Sequence, residues 1–268
     1  MHQPLQHRIF SGEIEIAATE YPGNGPLVLL IHGIGSSGAG WDNIIPALSV
    51  STTPVTIDQR GHGASGHPDS GYLYDDYIGD LDAVLAHFDI EHPLIVGHSL
   101  GGIVALWWAA RYPDRAAALV IEDSPLRSGE SFRPAFEGWL AFNALTEVDA
   151  AARYRQENPD WPDELVALRA RQITSTARGV FSELFADSIA HQGVDRIAEI
   201  EGVQSPVLLI HGDIETGGMV VADDATALKT RLPNVALAHI PGASHRIHAE
   251  RLEEFVTLTV DFLKRHTS

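Results

Sequence analysis

Six short apolar runs, most of them ending in glycine, histidine or an acid, constrain the fold of this chain more than any other feature. Each begins with a short, mainly apolar series and lacks the polar alternation of a strand that has one face in water. Such runs are typical of parallel strands covered by helices on both faces. The runs are PLVLLIHG (26–33), PVTIDQRGHG (54–63), HPLIVGHS (92–99), AAALVIEDSP (116–125), PVLLIHGD (206–213) and, more weakly, VALAHIPG (235–242).

Segments with helical spacing separate these runs. Apolar residues recur every three or four positions in Tyr72–Phe88 and Leu252–Leu263, and Leu100–Tyr112 is apolar nearly all round. Before them, RIFSG and EIEIAATEY indicate a hairpin near the N-terminus. The alternation predicts an α/β fold with a mostly parallel central sheet flanked by helices.

One stretch interrupts the alternation. Residues 127–201 contain no convincing buried strand but several helical patterns, which predicts a helical cap inserted between core segments 1–126 and 202–268. Phe132, Phe136 and Trp139 share one helical face of this insertion. They are candidate substrate-binding residues, although a small core of the insertion itself is the favoured role for its aromatic residues.

Composition excludes several classes of function. The chain has 268 residues, 44% of them hydrophobic, which is enough for one large domain. Its formal net charge of −18 argues against nucleic acid and anionic membranes as partners. With no cysteine, it cannot form disulfides or thiolate metal sites. The N-terminus lacks a signal-like pattern, so we expect a cytoplasmic protein; the oligomeric state is not indicated.

The strongest local motif is GHSLG, residues 97–101, between a predicted buried strand and a predicted buried helix. A G-x-S-x-G sequence in that context is typical of a nucleophile elbow, in which the strand turns sharply into the helix with the serine at its tip. The glycines allow a close approach of neighbouring backbone, and the helix N-terminus brings N–H groups beside the serine. Ser99 is therefore the candidate nucleophile.

A second motif follows the first predicted strand of the core. In LLIHGIGSSGAGW the backbone N–H of Ile34, together with that of Leu100, can bind the oxyanion of a tetrahedral intermediate. A glycine-rich phosphate loop is the alternative for this segment. Neither of the usual phosphate-binding glycine patterns is complete, and the acidic charge also argues against it.

Four motifs in this order, HGIGSSGAGW, DQRGHGAS, GHSLGG and GASHRIHAE, resemble the α/β-hydrolase fold family, in its serine-hydrolase, esterase- or lactonase-like branch. The resemblance extends from about residue 14 to residue 263 and is weakest in the helical cap. It implies that Ser99 is the nucleophile, that Ile34 and Leu100 supply the oxyanion hole, and that His245 is the base. The motifs specify the fold far better than the substrate.

His245 is also supported by its position. It follows the last predicted strand and precedes the C-terminal helix, which places it at the same sheet edge as Ser99. His248, three residues later, is the alternative base. Three further histidines within the motifs are expected to make structural hydrogen bonds: His32, His62 and His98.

Several acids can complete a triad with Ser99 and His245. In related hydrolases the acid usually lies three residues after the glycine that ends the penultimate strand, and counting from Gly212 favours Glu215. Asp213 would then be a turn residue, although it also qualifies. Some branches place the acid after the preceding strand, which offers Asp123 or, less favourably, Glu122.

No cofactor is expected. His239, His245, His248 and Glu250 cluster in sequence, but their spacing matches no metalloprotease pattern, and no metal site is predicted. The expected activity is that of a cofactor-independent serine hydrolase acting on a small or medium apolar carboxylic ester, or on a lactone. Two alternatives stay open: C–C bond hydrolysis of a vinylogous diketone, and a ligand-binding receptor or pseudo-hydrolase of the same fold.

Overall fold

A computed structural model describes residues 3–267 and contains one eight-stranded sheet. The strands are β1 (Leu5–Ser11), β2 (Ile14–Glu20), β3 (Leu27–Ile31), β4 (Thr53–Ile57), β5 (Leu94–His98), β6 (Ala118–Glu122), β7 (Val207–His211) and β8 (Val235–His239). Their order in the sheet is β1-β2-β4-β3-β5-β6-β7-β8. Strands β3 to β8 are mutually parallel, and the β1–β2 hairpin joins them antiparallel through β4.

Helices follow or separate the strands in the predicted way. They are α1 (Ile45–Leu48), α2 (Tyr74–His87), α3 (Leu100–Arg111), α4 (Arg133–Asn143), α5 (Glu147–Glu157), α6 (Asp163–Ser175), α7 (Arg178–Ala190), α8 (Ala222–Arg231), α9 (Ile247–Glu250) and α10 (Leu252–Arg265). Across residues 3–267, no helix has both the length and the hydrophobicity that crossing a membrane requires.

The apolar runs are continuous because both faces of the sheet are covered. Along β3, Leu29 and Ile31 belong to one buried cluster, whereas Val28 and Leu30 belong to a second. Successive side chains of a strand point to opposite faces, so each strand must be apolar at every position. The prediction of a mostly parallel α/β fold is confirmed.

Four helices, α4 to α7, lie between β6 and β7, within the segment predicted as the helical cap. They have aromatic packing of their own: the Tyr154 ring stacks on Phe142 at 4.3 Å and on Trp161 at 6.0 Å between centroids. The segment also contacts the core directly, since Gln172 Nε2 donates a hydrogen bond to Ser37 Oγ at 2.8 Å. The four helices therefore cover the edge at which the parallel strands end.

Candidate active site

Ser99 lies at the tip of the turn from β5 into α3, in a conformation that amino acids with side chains rarely adopt. Its φ is 51° and its ψ is −116°. Such strain persists only where the surrounding structure enforces it, and it is concentrated at functional sites. Here the surrounding elements are the buried β5 and the buried α3, and the Ser99 amide donates to the Glu122 carbonyl at 3.0 Å.

The glycines of the GHSLG motif are required by close backbone contacts. A Cβ on Gly97 would lie 2.6 Å from the Gly101 carbonyl oxygen, and a Cβ on Gly101 would lie 2.2 Å from that of Ile31. Both distances are far below van der Waals contact. The motif therefore reflects how tightly the elbow packs against β3 and α3.

His245 is paired with Asp123. The Nδ1–H of His245 donates to Asp123 Oδ2 at 2.7 Å, and the backbone N–H of Met219 donates to the same oxygen at 2.8 Å. The Asp123 side chain is fully buried, and its φ of 41° is again left-handed. A buried carboxylate on Nδ1 fixes the imidazole tautomer that leaves Nε2 free to accept a proton.

The structure corrects the preference for Glu215. This residue lies in a short 3₁₀ turn, Ile214–Thr216, with an exposed side chain, and its carboxylate bonds to no other group within residues 3–267. The turn folds back, because the Gly218 amide donates to the Asp213 carbonyl at 2.8 Å. Counting from Gly212 failed because the loop after β7 contributes the Met219 amide to the site instead of a carboxylate.

Asp213, the other candidate in that loop, supports a turn instead of His245. Its two oxygens accept from His239 Nε2 and from the Gly242 amide, each at 2.6 Å. The Gly242 amide, followed by the His239 ring, holds the pKa of Asp213 below its usual value. Asp213 thus ties the start of the His245 loop to the end of β7.

Glu122 and His248, the least favoured candidates, form a second pair. Glu122 is fully buried and accepts from the backbone N–H of His248 at 2.7 Å and from its Nδ1 at 2.8 Å. Because consecutive residues at a strand end project to different sides, Glu122 and Asp123 reach different histidines. Glu122 therefore anchors the start of α9 just after His245.

The three motif histidines make structural hydrogen bonds, as expected. His32 Nε2 accepts from the Gln59 amide at 3.0 Å, and His62 Nε2 accepts from the Gly35 amide at 3.1 Å. Burial is the main cause that lowers the pKa of His32 to about 4 and that of His62 to about 3. Both rings are therefore neutral acceptors that hold the loop around Ile34.

His98 supports the main chain at His245. Its Nε2–H donates to the His245 carbonyl at 2.9 Å, and the two rings lie 4.6 Å apart. Burial, followed by the neighbouring His245 and His248, holds the pKa of His98 well below its usual value. A neutral ring at this position stabilises the backbone of His245 without adding a positive charge beside it.

The predicted oxyanion donors border the cavity at Ser99. Within residues 3–267 the Ile34 backbone N–H has no acceptor, and Leu100 is the first residue of α3, whose first N–H groups have no acceptor inside the helix. Ile34 lines both of the spaces beside Ser99. This placement is compatible with the predicted role.

The histidines and the acid that cluster near the C-terminus have separate partners. His239 bonds to Asp213, His245 to Asp123, His248 to Glu122, and Glu250 to Ser244. A different group, His98, Glu122 and His248, has ligand atoms within 4.8 Å of one another. Its His98 Nε2 and His248 Nδ1 atoms already take part in hydrogen bonds.

Two cavities meet at Ser99. The larger, about 410 Å³, also contains His245 and is bordered by α6 of the cap and by the Ile34 loop. The smaller, about 50 Å³, is mainly apolar and includes Phe132 and Phe136, while Trp139 borders both. The predicted cap aromatics thus border the cavities at Ser99, and Phe136 is also part of the core, with 8% of its surface exposed.

Sequence reasoning missed two residues of the larger cavity, Arg169 on α6 and Arg246 next to His245. In sequence they are 77 positions apart, and no motif contains Arg169. One signal was available: Arg246 directly follows the predicted base in a chain with few cations and many acids.

Known proteins show which family this architecture represents. The model of the α/β-hydrolase fold family matches residues 26–145. The chain is 30% identical, over 91% of its length and 90% of the relative's, to the 2-(acetamidomethylene)succinate hydrolase of Mesorhizobium japonicum. The chain therefore belongs to the α/β-hydrolase fold family, as the motifs predicted, and this relationship makes it a hydrolase.

Two further similarities extend over nearly the whole chain. The N-formylmaleamate deformylase of Pseudomonas putida is 27% identical, over 91% of this chain and 90% of the relative. A crystal structure of E-2-(acetamidomethylene)succinate hydrolase superposes with a TM-score of 0.80 at 26% identity, covering 98% of this chain and all of the other. The helical segment 127–201 thus lies inside the region that the solved structure shares.

Proposed function

We propose that this protein is a cofactor-independent serine hydrolase in which Ser99, His245 and Asp123 form the catalytic triad. The observation that carries the proposal is the 2.7 Å hydrogen bond from His245 Nδ1 to buried Asp123, at the cavity into which Ser99 opens. A strained serine, a histidine and a buried acid from three different loops of one sheet edge, those after β5, β8 and β6, have no common structural requirement. A shared catalytic role accounts for all three.

In the proposed reaction, His245 Nε2 accepts the Ser99 hydroxyl proton as Oγ attacks the substrate carbonyl. The Ile34 and Leu100 amides bind the oxyanion, and His245 returns the proton to the leaving group as the acyl-enzyme forms. Water, deprotonated by His245, then attacks the acyl-enzyme and releases the acid. Asp123 stabilises the imidazolium that forms in both steps.

A small or medium carboxylic ester or lactone is the proposed substrate class. The cavity of about 410 Å³ falls within the size range of small-molecule sites, and the adjoining apolar space at Phe132 and Phe136 suits an aliphatic or aromatic group. The substrate would reach Ser99 between α6 and the Ile34 loop.

A second candidate is hydrolysis of an activated carbonyl compound whose leaving group is not an alcohol, such as the C–C bond of a vinylogous diketone. The sequence relatives favour it, because a hydrolase of 2-(acetamidomethylene)succinate and an N-formylmaleamate deformylase are not named for esters. The same Ser99 attack serves both candidates. Rates for p-nitrophenyl esters, a ring-fission diketone, N-formylmaleamate and 2-(acetamidomethylene)succinate would rank them.

Fluorophosphonate labelling tests the triad itself. The wild-type protein should be labelled at Ser99 and should hydrolyse p-nitrophenyl acetate, whereas Ser99→Ala should lose both properties and keep its circular dichroism spectrum. Ser36→Ala is the matched control, because Ser36 is another hydroxyl of the same cavity and should leave labelling intact. Labelling that persists in Ser99→Ala would refute the proposal. Tight stoichiometric ligand binding with negligible turnover would favour a receptor instead.

A further inference from the structure

Two arginines stand out in the cavity beside Ser99. Arg169 comes from α6 and Arg246 from the loop just after His245, and both line the same space. The chain has twice as many acids as bases, 36 against 18, so two cations together at the substrate cavity oppose the overall charge. A site of this kind is electrostatically suited to an anion.

Neither guanidinium has a carboxylate partner. Within residues 3–267, no Asp or Glu oxygen lies within 4.0 Å of Arg169 or Arg246. The two most deeply buried arginines behave differently: Arg60 pairs with Asp80 at 2.6 Å, and Arg196 pairs with Glu199 at 3.3 Å. Buried charges are normally paired because desolvation is costly.

Arg169 is held in place by one hydrogen bond and keeps an N–H donor without a partner within residues 3–267. Its Nη1 donates to Gln172 Oε1 at 2.9 Å, and Gln172 in turn donates to Ser37 of the core. Its Nε is buried and has no hydrogen-bond partner within the described chain. Buried polar atoms are rarely left without a partner, and this donor lies on a side chain that lines the cavity at Ser99.

Arg246 is also fixed and partly desolvated. Its guanidinium lies 5.4 Å above the ring of Trp161. Burial, followed by the nearby charge of Arg169, lowers the pKa of Arg246 to about 10, so the Arg246 side chain stays cationic at neutral pH. Two like charges that line one cavity repel each other, and a bound anion would offset both this repulsion and the cost of desolvation.

The acids around the two arginines are engaged elsewhere or point to solvent. Glu250 bonds to Ser244, and Glu122 bonds to His248. Asp42, which lines the cavity, accepts from the Tyr21 hydroxyl at 3.0 Å, and Glu164, which also lines it, is exposed. Within residues 3–267 none of them forms a salt bridge with either arginine.

We propose that Arg169 and Arg246 form a carboxylate-binding subsite, so that the preferred substrate carries a free carboxylate on the α6 side of its reactive carbonyl. Guanidinium groups bind carboxylates through two parallel N–H···O hydrogen bonds, which fixes orientation as well as charge. The apolar space at Phe132 and Phe136 also adjoins Ser99 but is lined by neither of these arginines. The inference rests on the proposed serine hydrolase and narrows its substrate to acidic acyl compounds, in place of the apolar ester expected from the sequence.

Paired probes test the subsite. The substrates are p-nitrophenyl hydrogen glutarate and p-nitrophenyl hydrogen adipate, each compared with its neutral methyl ester through the ratio of kcat/KM values. Wild type should prefer the acid by about 10- to 100-fold, the range expected for hydrogen bonds to a charged group. Arg169→Gln and Arg246→Gln should bring the ratio close to unity, mainly through KM. Arg169→Lys, which keeps the charge but not the planar fork, should give an intermediate ratio.

Arg171→Gln is the matched control. Arg171 is on the same helix and its removal changes the net charge equally, but its side chain is exposed and faces Glu147 at 3.6 Å. This variant should retain both the wild-type ratio and the wild-type rate. An equal preference of wild type for both probes, or a ratio unaffected by Arg169→Gln and Arg246→Gln, would overturn the inference.

A binding measurement separates this inference from the catalytic one. Monomethyl glutarate should bind Ser99→Ala protein in a calorimeter, and the added change Arg169→Gln should weaken binding about tenfold or more. Binding that disappears with the arginines supports the subsite even if Ser99 proves not to be the nucleophile. Absence of binding by Ser99→Ala, together with hydrolysis that shows no preference for the acid probes, rejects the subsite alone.

Discussion

His245 and Asp123 are joined by a 2.7 Å hydrogen bond although 122 residues separate them in the chain. The bond exists because β6 lies beside β7 and β8 follows β7, so that the loops after β6 and β8 meet over the loop after β7. That middle loop donates the Met219 amide to the same carboxylate. Three consecutive strand ends therefore define the position of one oxygen atom.

Replacing Asp123 with Asn should reduce kcat about 10³- to 10⁴-fold, because the amide no longer fixes the imidazole tautomer or stabilises imidazolium. Asn tolerates the left-handed backbone, so the fold should be kept. The matched variant Glu215→Gln removes the acid favoured by spacing and should alter kcat less than about threefold, because Glu215 is exposed. Hydrolysis of p-nitrophenyl acetate measures both. A larger loss of kcat in Glu215→Gln than in Asp123→Asn would identify Glu215 as the acid of the triad.

Ser99→Gly should make the protein inactive but more stable. Glycine adopts a φ of 51° and a ψ of −116° without the strain that serine carries there. We expect a net gain of about 1 kcal/mol after allowing for the greater entropy of glycine in the unfolded chain. Ser99→Ala keeps the strain and should show a smaller change in urea unfolding. Equal stability of the two variants would argue against backbone strain at the elbow.

Acid should destabilise the protein through the histidines around the Ile34 loop. Burial lowers the pKa of His32 to about 4 and that of His62 to about 3 from an ordinary value of 6.5, so the unfolded state binds more protons in between. Stability is therefore complete above about pH 6.5 and falls as the pH decreases, by up to about 1.4 kcal/mol per pH unit for each histidine.

His62→Gln tests this linkage, because the amide oxygen can still accept from Gly35 but does not titrate. The free energy of unfolding in urea should differ less between about pH 7 and about pH 5 in this variant than in wild type. The reduction should equal roughly the contribution of one histidine. An unchanged pH dependence would mean that His62 is not the group responsible.

Gly101→Ala should destabilise the fold by about 3 kcal/mol or more, because the new Cβ would overlap the Ile31 carbonyl oxygen and push α3 away from β3. Gly79→Ala is the matched control, since Gly79 is an exposed helical glycine with nothing within 4 Å of its Cβ position. That variant should gain about 0.5 to 1 kcal/mol from helix propensity. Thermal unfolding followed by circular dichroism compares the two.

The strands, the elbow and the position of His245 were predictable because each depends on local sequence. A strand buried on both faces must be apolar throughout, and an elbow as tight as that at Gly97 and Gly101 excludes other residues. His245 could be placed because it follows the last strand, whatever the length of the loops before it. The residues that determine each of these features lie within or next to it in the sequence.

The acid and the arginine pair could not be predicted in the same way. The choice between Asp123 and Glu215 depends on how the loop after β7 folds back, and no residue count reports that geometry. The approach of Arg169 to Arg246 depends on where α6 settles on the core, which is set by contacts such as Gln172 with Ser37. Tertiary packing decides both.

The hydrogen bond between Gln172 and Ser37 has a consequence for engineering. Ile173 follows Gln172 on α6 and packs against Gly35. A Cβ atom built on Gly35 would lie only 2.7 Å from Ile173 Cδ1. The helix that carries Arg169 therefore packs directly against the loop that carries the Ile34 amide. A chimera that exchanges the cap for another specificity must therefore transplant the residues that meet Gly35 and Ser37 as well, because the cap is not an independent module.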